Sequence, residues 1–395
     1  MATKSRQYNI DYVLKRGVAE IISENELRKL LQSGKKLRIK EGLDPSSPDI
    51  HVGHMASLRK MRQFQELGHQ IVIIVGDWTA QIGDPSGHSS TRPMLTAEQV
   101  KANAETYLSQ FFRIVDKNKT EIRMQSEWFG KFNLADVVQL TSKFTVAQLL
   151  ARDDFNKRYT EQKPIAITEL LYPLMQAYDS VAVHADIELG GTDQKFNFLV
   201  GRELQSMMGQ TPQQIFMVPL LVGLDGVQKM SKSLGNYIGI TEPPDDIYGK
   251  TMSIKDEFIT LFLETLTDIP DVELAELKKQ IENGLNPMSL KKRLAKELVT
   301  QLYSEKDAGE AEEHFEKTVQ KKEIPDDIEE YKMTQEITIS QLLAQSGLAA
   351  SRSEAVRLIK QGAVSIDGKK SDDANEIVPK GVIIKVGKRR YLKTI

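Results

Sequence analysis

Apolar and polar positions first fall into a rhythm at residues 35–44, KKLRIKEGLD. Leu37, Ile39 and Leu43 alternate with Arg38, Lys40 and Gly42, which predicts a strand. A helix is expected over about 51–67, where Met55, Leu58, Met61, Phe64 and Leu67 step by three. At 3.6 residues per turn that spacing drifts roughly 240° around the axis, so much of the helix's girth should be covered. Residues 71–75 of the next run, QIVIIVGD (70–77), are continuously apolar and β-branched, as in a parallel strand buried on both faces. Strand, helix and buried strand in this order predict a right-handed crossover unit.

The alternation of types continues. TAEQ (96–99) has the capping-box pattern and opens a helix to about residue 113. EIRMQSEW (121–128) reads as a strand, and residues 145–180 as short helices with a longer one across ELLYPLMQAYDSV. ADIELGGTDQ (185–194) is a strand running into a Gly-Gly turn, followed by a helix through FNFLVGRELQSM. QIFMVPLLVG (214–223) is the last apolar strand. After TEPPDD (241–246) the chain turns helical and charged, with Leu290, Leu294, Leu298 and Leu302 at four-residue steps. KKEIPDDIEEYKMTQE (321–336) has few apolar residues and reads as a linker. The expected architecture is α/β: a doubly wound parallel sheet of the Rossmann type over 1–240, an α-helical domain over 241–322, a linker over 323–336 and a small α+β domain over 337–395.

Composition narrows the class. With 395 residues, 40% hydrophobic and 27% charged, the chain is that of an ordinary globular protein of two or three domains. A net charge of −2 gives no global basicity, yet residues 337–395 hold eleven Lys/Arg against five Asp/Glu, a local basic surface. There are no cysteines, which excludes disulfides and thiolate metal sites. MATKSRQYNIDYVLKRG lacks a signal peptide's apolar core and no run approaches membrane-spanning length, so a soluble, cytoplasmic protein is expected.

The chemistry concentrates in DPSSPDIHVGHMASLRK (44–60). His51 and His54 stand three apart at the first turn of the expected helix, so both rings can face one side, and Gly53 leaves bare backbone between them. A helix start after Pro48-Asp49 turns free N–H groups toward an anion. A metal pair lacks a third ligand at a suitable spacing, and two surface histidines are the plainer alternative. KMSKS (229–233) follows the last strand, with Lys229 and Lys232 on a loop that includes Gly223, Gly226 and Gly235. It can bring ammonium groups to polyphosphate charge, or be a solvated basic loop. Neither a Walker loop nor G-x-G-x-x-G occurs.

Taken in order, these blocks resemble the class I aminoacyl-tRNA synthetases, and among them the bacterial tyrosyl branch, over essentially the whole chain. HVGH matches the family's first signature and KMSKS its second, with GLDPSSPDIHVGH, IGDPSG (82–87) and ELGGTDQ (188–194) as further blocks. The resemblance implies a ligase that joins tyrosine and ATP into tyrosyl-adenylate and pyrophosphate, with Mg²⁺ accompanying ATP. It then transfers tyrosine to the terminal adenosine of tRNA, in protein biosynthesis. His51, His54, Lys229 and Lys232 would serve the phosphates, and Ser233 would join them in ATP binding. Gly42, Asp44, Gly53, Gly191 and Asp193 would approach the rest of ATP, with Asp193 on the ribose.

Tyr172, Gln176 and Asp179 of YPLMQAYD share one helix face, which alone could be a buried polar seam. By resemblance Tyr172, Gln176 and Asp84 take the substrate's α-amino group, Asp179 accepts from its phenol hydroxyl and Gln194 orients its carboxylate. Two positions depart from many relatives. Lys40 replaces a tyrosine that also meets the phenol; strand alternation sets it on the face of Gly42 and Asp44, so it is expected either to point into the site or to snorkel away. Lys195 replaces a tryptophan. The final module resembles a small RNA-binding domain shared with a ribosomal protein, with Arg352, Arg357 and Lys360 presented to RNA; a solvated charged cap is the alternative. A homodimer through about 120–180 is likewise implied by the family. The rival readings are a tryptophanyl enzyme, a small-molecule nucleotidyltransferase and a non-catalytic RNA-binding regulator.

Overall fold

The computed structural model describes residues 8–45, 49–85, 95–284, 286–320, 328–333, 336–387 and 390–395, the side chains of 97, 319 and 320 excepted. Ser46, Ser47 and Pro48 of the approach to the histidines, and Ser86 and Gly87 of IGDPSG, lie outside the described residues, as does much of the expected linker. Two compact units divide at Leu302/Tyr303.

The first unit is built on a six-stranded sheet of β1 (Glu20–Ile22), β2 (Arg38–Leu43), β3 (Gln70–Val75), β4 (Thr120–Met124), β5 (Ile187–Gly191) and β6 (Gln214–Val218), in the order β1-β6-β5-β2-β3-β4. All pairings are parallel except the edge strand β1, which runs antiparallel to β6. The parallel core matches the expected doubly wound sheet. The antiparallel edge was not foreseen, because three residues reading EII carry no alternation long enough to register. The last strand is also shorter than its apolar run. It stops at Val218, since Pro219 has no N–H for the ladder.

Between β2 and β3 runs the signature helix, Val52–Glu66. Its covered girth is as the three-residue spacing required for Met55, Leu58, Met61 and Phe64, which are buried, while Leu67, at the helix end, is half-buried. Ser57, Lys60, Gln63 and Gln65 on other sides are buried too. Each apolar side chain contributes about 1.5–3 kcal/mol relative to exposure. The buried amine is accommodated by acceptors: Lys60 Nζ donates to Val13 O at 2.8 Å and Gln63 Oε1 at 3.0 Å. Arg59 on the same helix reaches Asp268 at 2.6 Å, tying it to the following helical stretch. That stretch, Pro244–Met252, Ile259–Leu266, Asp271–Glu282 and Pro287–Leu302, belongs to the first unit.

The second unit opens with helix Glu305–Phe315, whose cap Ser304 accepts the N–H of Asp307 at 3.1 Å. It carries a second sheet of β7 (Glu329–Tyr331), β8 (Val364–Ile366), β9 (Lys369–Lys370), β10 (Ile383–Val386) and β11 (Arg390–Thr394), in the order β7-β11-β10-β8-β9. Part of the expected linker is therefore structural: Glu329–Tyr331 pairs parallel with β11. Its polar composition suits an exposed edge strand and reads as loop for the same reason. Helices Ile339–Gln345 and Arg352–Lys360 pack on this sheet through Leu342, Leu343 and Ile359, leaving Arg352, Arg357 and Lys360 exposed.

Candidate active site

β2 leads on to β3 and β4 on one side of the sheet, whereas β5, its neighbour on the other side, leads on to β6. Such a switch leaves a crevice beyond the carboxyl ends of the two central strands. A cavity of about 1000 Å³ occupies it. The residues expected to bind ATP and tyrosine converge there: Gly42 and Asp44 from the end of β2, His51, Gly53 and His54 from the signature helix, Gly191, Asp193 and Gln194 beyond β5, and Asp84, Tyr172, Gln176, Asp179, Lys229 and Ser233. Lys232 is not part of the lining; its ammonium is ion-paired with Asp49.

One end of the cavity is organised by the two histidines. His51, in extended backbone, precedes the helix, and its N–H donates to His54 Nδ1 at 3.2 Å. With Nδ1 accepting, the neutral His54 ring carries its proton on Nε2. His51 Nδ1 is buried with no partner, an open valence in a cavity wall. Burial is the main cause that lowers both imidazoles, His51 to about 2 and His54 to about 4, so both are neutral hydrogen-bonding groups at pH 7. A Cβ on Gly53 would lie 2.8 Å from His51 Nδ1, so only glycine lets that ring sit where it does. Among the described residues no group of three or more His, Asp or Glu is arranged to hold a metal ion.

The KMSKS loop closes over this end. Lys229 donates to Asp193 at 2.8 Å, and the ion pair with Lys232 holds Asp49 below the usual carboxylate range. Asn236, which no motif singled out, holds the loop's shape. It accepts the Ser231 N–H at 2.8 Å and donates to Asp225 at 2.7 Å and to Lys229 O at 3.2 Å.

The opposite end is a buried polar network on helix Ile167–Ala182. Tyr172 donates to Asp44 at 2.7 Å, and Gln194 to Asp84 at 2.8 Å. Asp179, 2% exposed, accepts from Gln125 Nε2 at 2.8 Å and Trp128 Nε1 at 3.1 Å. A carboxylate offers about four acceptor positions, so room for a further donor remains. Burial pushes Asp179 up to about 7. Asn197 bridges Gln176 at 3.0 Å and Gln194 at 2.9 Å.

Comparison with known proteins decides the family. Residues 32–320 match the family described as tRNA synthetases class I (W and Y), and residues 339–384 match the S4 domain. The chain belongs to the class I tRNA synthetases. This synthetase is 65% identical over 389 residues to the tyrosine–tRNA ligase of Dehalococcoides mccartyi strain CBDB1, covering 98% of each chain. It is 53% identical to that of Francisella tularensis, covering 97% of each. Among solved structures, the Archaeoglobus fulgidus tyrosyl-tRNA synthetase complexed with L-tyrosine aligns with a TM-score of 0.62 at 26% identity, over 76% of this chain and 98% of that one.

In the synthetase neither expected orientation of Lys40 is found. Its side chain is fully buried behind the cavity wall, where Nζ donates to Glu188 Oε1 at 2.7 Å, Ser180 Oγ at 2.9 Å and Gln176 O at 3.0 Å. Alternation along β2 located its face, but the partner carboxylate lies 148 residues away. Lys195 points out of the site, paired with Glu20 at 2.6 Å on the surface. Sequence reasoning also missed Gln125, Thr79 and Glu41, which line the cavity. Thr79 donates to Asp44 at 2.7 Å, and Ser57 donates to Glu41 at 2.6 Å. Gln125 and Thr79 are neutral side chains outside any motif, which left no signal to find them.

Proposed function

We propose that the cavity activates tyrosine with ATP and passes it to tRNA: the tyrosine carboxylate attacks the α-phosphorus, pyrophosphate leaves, and the terminal adenosine of tRNA then takes the tyrosyl group. The observation that carries this reading is the polarity of the cavity. A buried carboxylate with a free acceptor position stands at one end, and neutral imidazoles with a lysine at the other. Asp179 accepts the phenol hydroxyl. Tyr172, Gln176 and Asp84 take the α-amino group and Gln194 the carboxylate. Gly42, Asp44, Gly191 and Asp193 meet the adenosine, with Gly53 leaving space against the signature helix and Ser233 on the phosphates.

His51, His54, Lys229 and Lys232 stabilise charge that builds on the phosphates, with no covalent protein intermediate. For the lysines this requires exchange of Asp193 and Asp49 for phosphate oxygens, a like-for-like replacement of anions. Mg²⁺ is assigned to the ATP phosphates, whose charge it accompanies. Purified protein should catalyse ATP–pyrophosphate exchange with tyrosine and far less with phenylalanine or tryptophan; exchange driven best by tryptophan sinks the assignment of Asp179.

The remaining readings are of partners and domains. Residues 1–240 are taken as catalytic, 241–322 as an anticodon-side helical domain and 337–395 as the RNA-gripping module, in a cytoplasmic enzyme. Leu134, Val138, Val146 and Ile167 are 58–79% exposed within 120–180, apolar surface that suits the homodimer contact. No described helix is long and apolar enough to cross a membrane. For the RNA contact, removal of residues from 337 onward should spare tyrosyl-adenylate formation and sharply reduce transfer to tRNA. Equal damage to both half-reactions would point to a merely structural module.

A further inference from the structure

Lys40 and Glu188 form an ion pair whose side chains are 0% and 1% exposed, yet neither lines the cavity. Their bonds lead to residues that do. Glu188 receives Lys40, Gln176 Nε2 at 3.2 Å, Ser180 at 3.4 Å and Gln213 Nε2. Gln176 is thus fixed through its side chain by Glu188 and through its carbonyl by Lys40. Ser180, held by the same ammonium, is the residue after Asp179. The pair grips the helix one turn apart, on either side of the residue that faces the phenol.

We propose that the buried Lys40–Glu188 pair is a positioning and specificity element of the tyrosine pocket: it fixes Gln176 and supplies the counter-charge that lets the Asp179 carboxylate accept the substrate's phenol hydroxyl. The proposal rests on the reading that Asp179 meets the phenol.

Charge balance gives the reason. The titratable groups facing Asp179 are Lys40 from β2, Glu188 from β5 and Tyr172 from its own helix; Gln125 and Trp128 contribute neutral donors, and Arg123 lies 5.7 Å over the Trp128 ring. Burial raises Asp179, the Lys40 charge lowers it and the Glu188 charge raises it again. Glu41 on β2, which burial raises to about 8, also faces Glu188, and among the described residues Lys40 is the cation set against Asp179 and Glu188. Without it, Asp179 and Glu188 repel at low dielectric, and Asp179 takes up a proton at neutral pH. A protonated Asp179 is a poorer acceptor for the phenol, and the hydroxyl loses its advantage over a bare ring.

The test follows tyrosine and phenylalanine activation against pH in the full chain. Lys40→Met, close in length and uncharged, should move the acid limb of kcat/KM for tyrosine up by roughly one pH unit. It should raise KM for tyrosine about tenfold with kcat little changed, as loss of uniform binding does. Phenylalanine use should stay level, so the preference narrows. Lys40→Met/Glu188→Gln removes both charges and should bring the limb most of the way back. Replacing a buried pair by neutral groups is often tolerated, so if the single variant does not fold the double variant tests the positioning role. With Gln176 released from the ammonium and the carboxylate, KM for tyrosine should still rise, and an unchanged KM overturns the proposal. A limb that stays put in Lys40→Met, or in the double variant fails to return and keeps the single variant's shift, overturns the proposal. Proportional loss of both amino acids does the same, since a purely structural brace predicts it. Asp179→Asn is the control: if it keeps the wild-type preference for tyrosine, the phenol reading falls and the proposal with it. If it loses the preference while the Lys40 variant keeps the wild-type limb, only the role of the pair falls.

Discussion

At the phosphate end of the cavity, charge is held on the surface. Lys229 and Lys232 are 43% and 35% exposed, and each is parked on a carboxylate. At the tyrosine end, charge is held in the interior: Lys40, Glu188 and Asp179 are at most 2% exposed. The difference follows from the task. A triphosphate brings its own large charge and must displace something, so exposed pairs, each worth about 0–1 kcal/mol, are easily exchanged. A phenol is neutral and must be told from a phenyl ring by one hydroxyl. Only a desolvated acceptor, costly to leave unpaired, makes that distinction large. One end is built to exchange partners and the other to keep them.

The largest effect should come from the phosphate end. His54→Ala and Lys232→Ala should each slow adenylate formation by roughly 10²–10³-fold, the range for removing one preorganised group from developing charge. Tyrosine affinity, measured by equilibrium dialysis, should hardly change, because the interaction is made mainly in the transition state. If rate and tyrosine affinity fall together, the two ends are not separable and the comparison fails.

Asp179→Asn should be milder and fall on the other end. Replacing a charged acceptor by a neutral one costs about 1.5–3 kcal/mol, or roughly 10–150-fold in kcat/KM for tyrosine, with little change for phenylalanine. The pH dependence separates the ends further. The folded Asp179 titrates at about 7, above an ordinary aspartate, so it gains its proton as pH falls through neutrality. Tyrosine kcat/KM should therefore decline below about pH 7. His51 and His54, lowered to about 2 and about 4, should add no limb of their own between pH 5 and 8. An acid limb that persists unchanged in Asp179→Asn would assign it to another group.

What could be read from the sequence divides along the same line. The phosphate end is contiguous: HVGH and KMSKS each place their groups within five residues, and the strands and helix around the first announce themselves by period. The helix face of Tyr172, Gln176 and Asp179 was legible too, through its spacing. Its supports were not. Gln125 follows β4, Trp128 sits on Ser126–Phe129, Glu188 on β5 and Asn197 on the helix after it. They meet only because the sheet brings β2 beside β5 and β3 beside β4. Lys40 shows the limit most clearly: strand alternation placed its face, but nothing local says that a carboxylate waits for it behind the wall. The short edge strands Glu20–Ile22 and Glu329–Tyr331 escaped for a different reason, since three exposed or half-buried residues carry no period.

The smallest effect, and the finest test of the interior end, is expected from Trp128→Phe. The indole N–H donates to Asp179 Oδ1 at 3.1 Å, while Gln125 Nε2 serves the other oxygen at 2.8 Å. Phenylalanine keeps most of the ring's packing against Phe129 and removes only the donor. The carboxylate then keeps one of two fixed donors, and its charged form is less well stabilised, so its proton affinity rises slightly. Tyrosine kcat/KM should fall by roughly three- to tenfold at pH 7 and recover at pH 8.5, where Asp179 is again ionised; about 1 kcal/mol for one donor sets that scale. Recovery with pH is the decisive readout. A loss of the same size at every pH would mean that the indole only shapes the wall, and that the donors around Asp179 do not tune its charge.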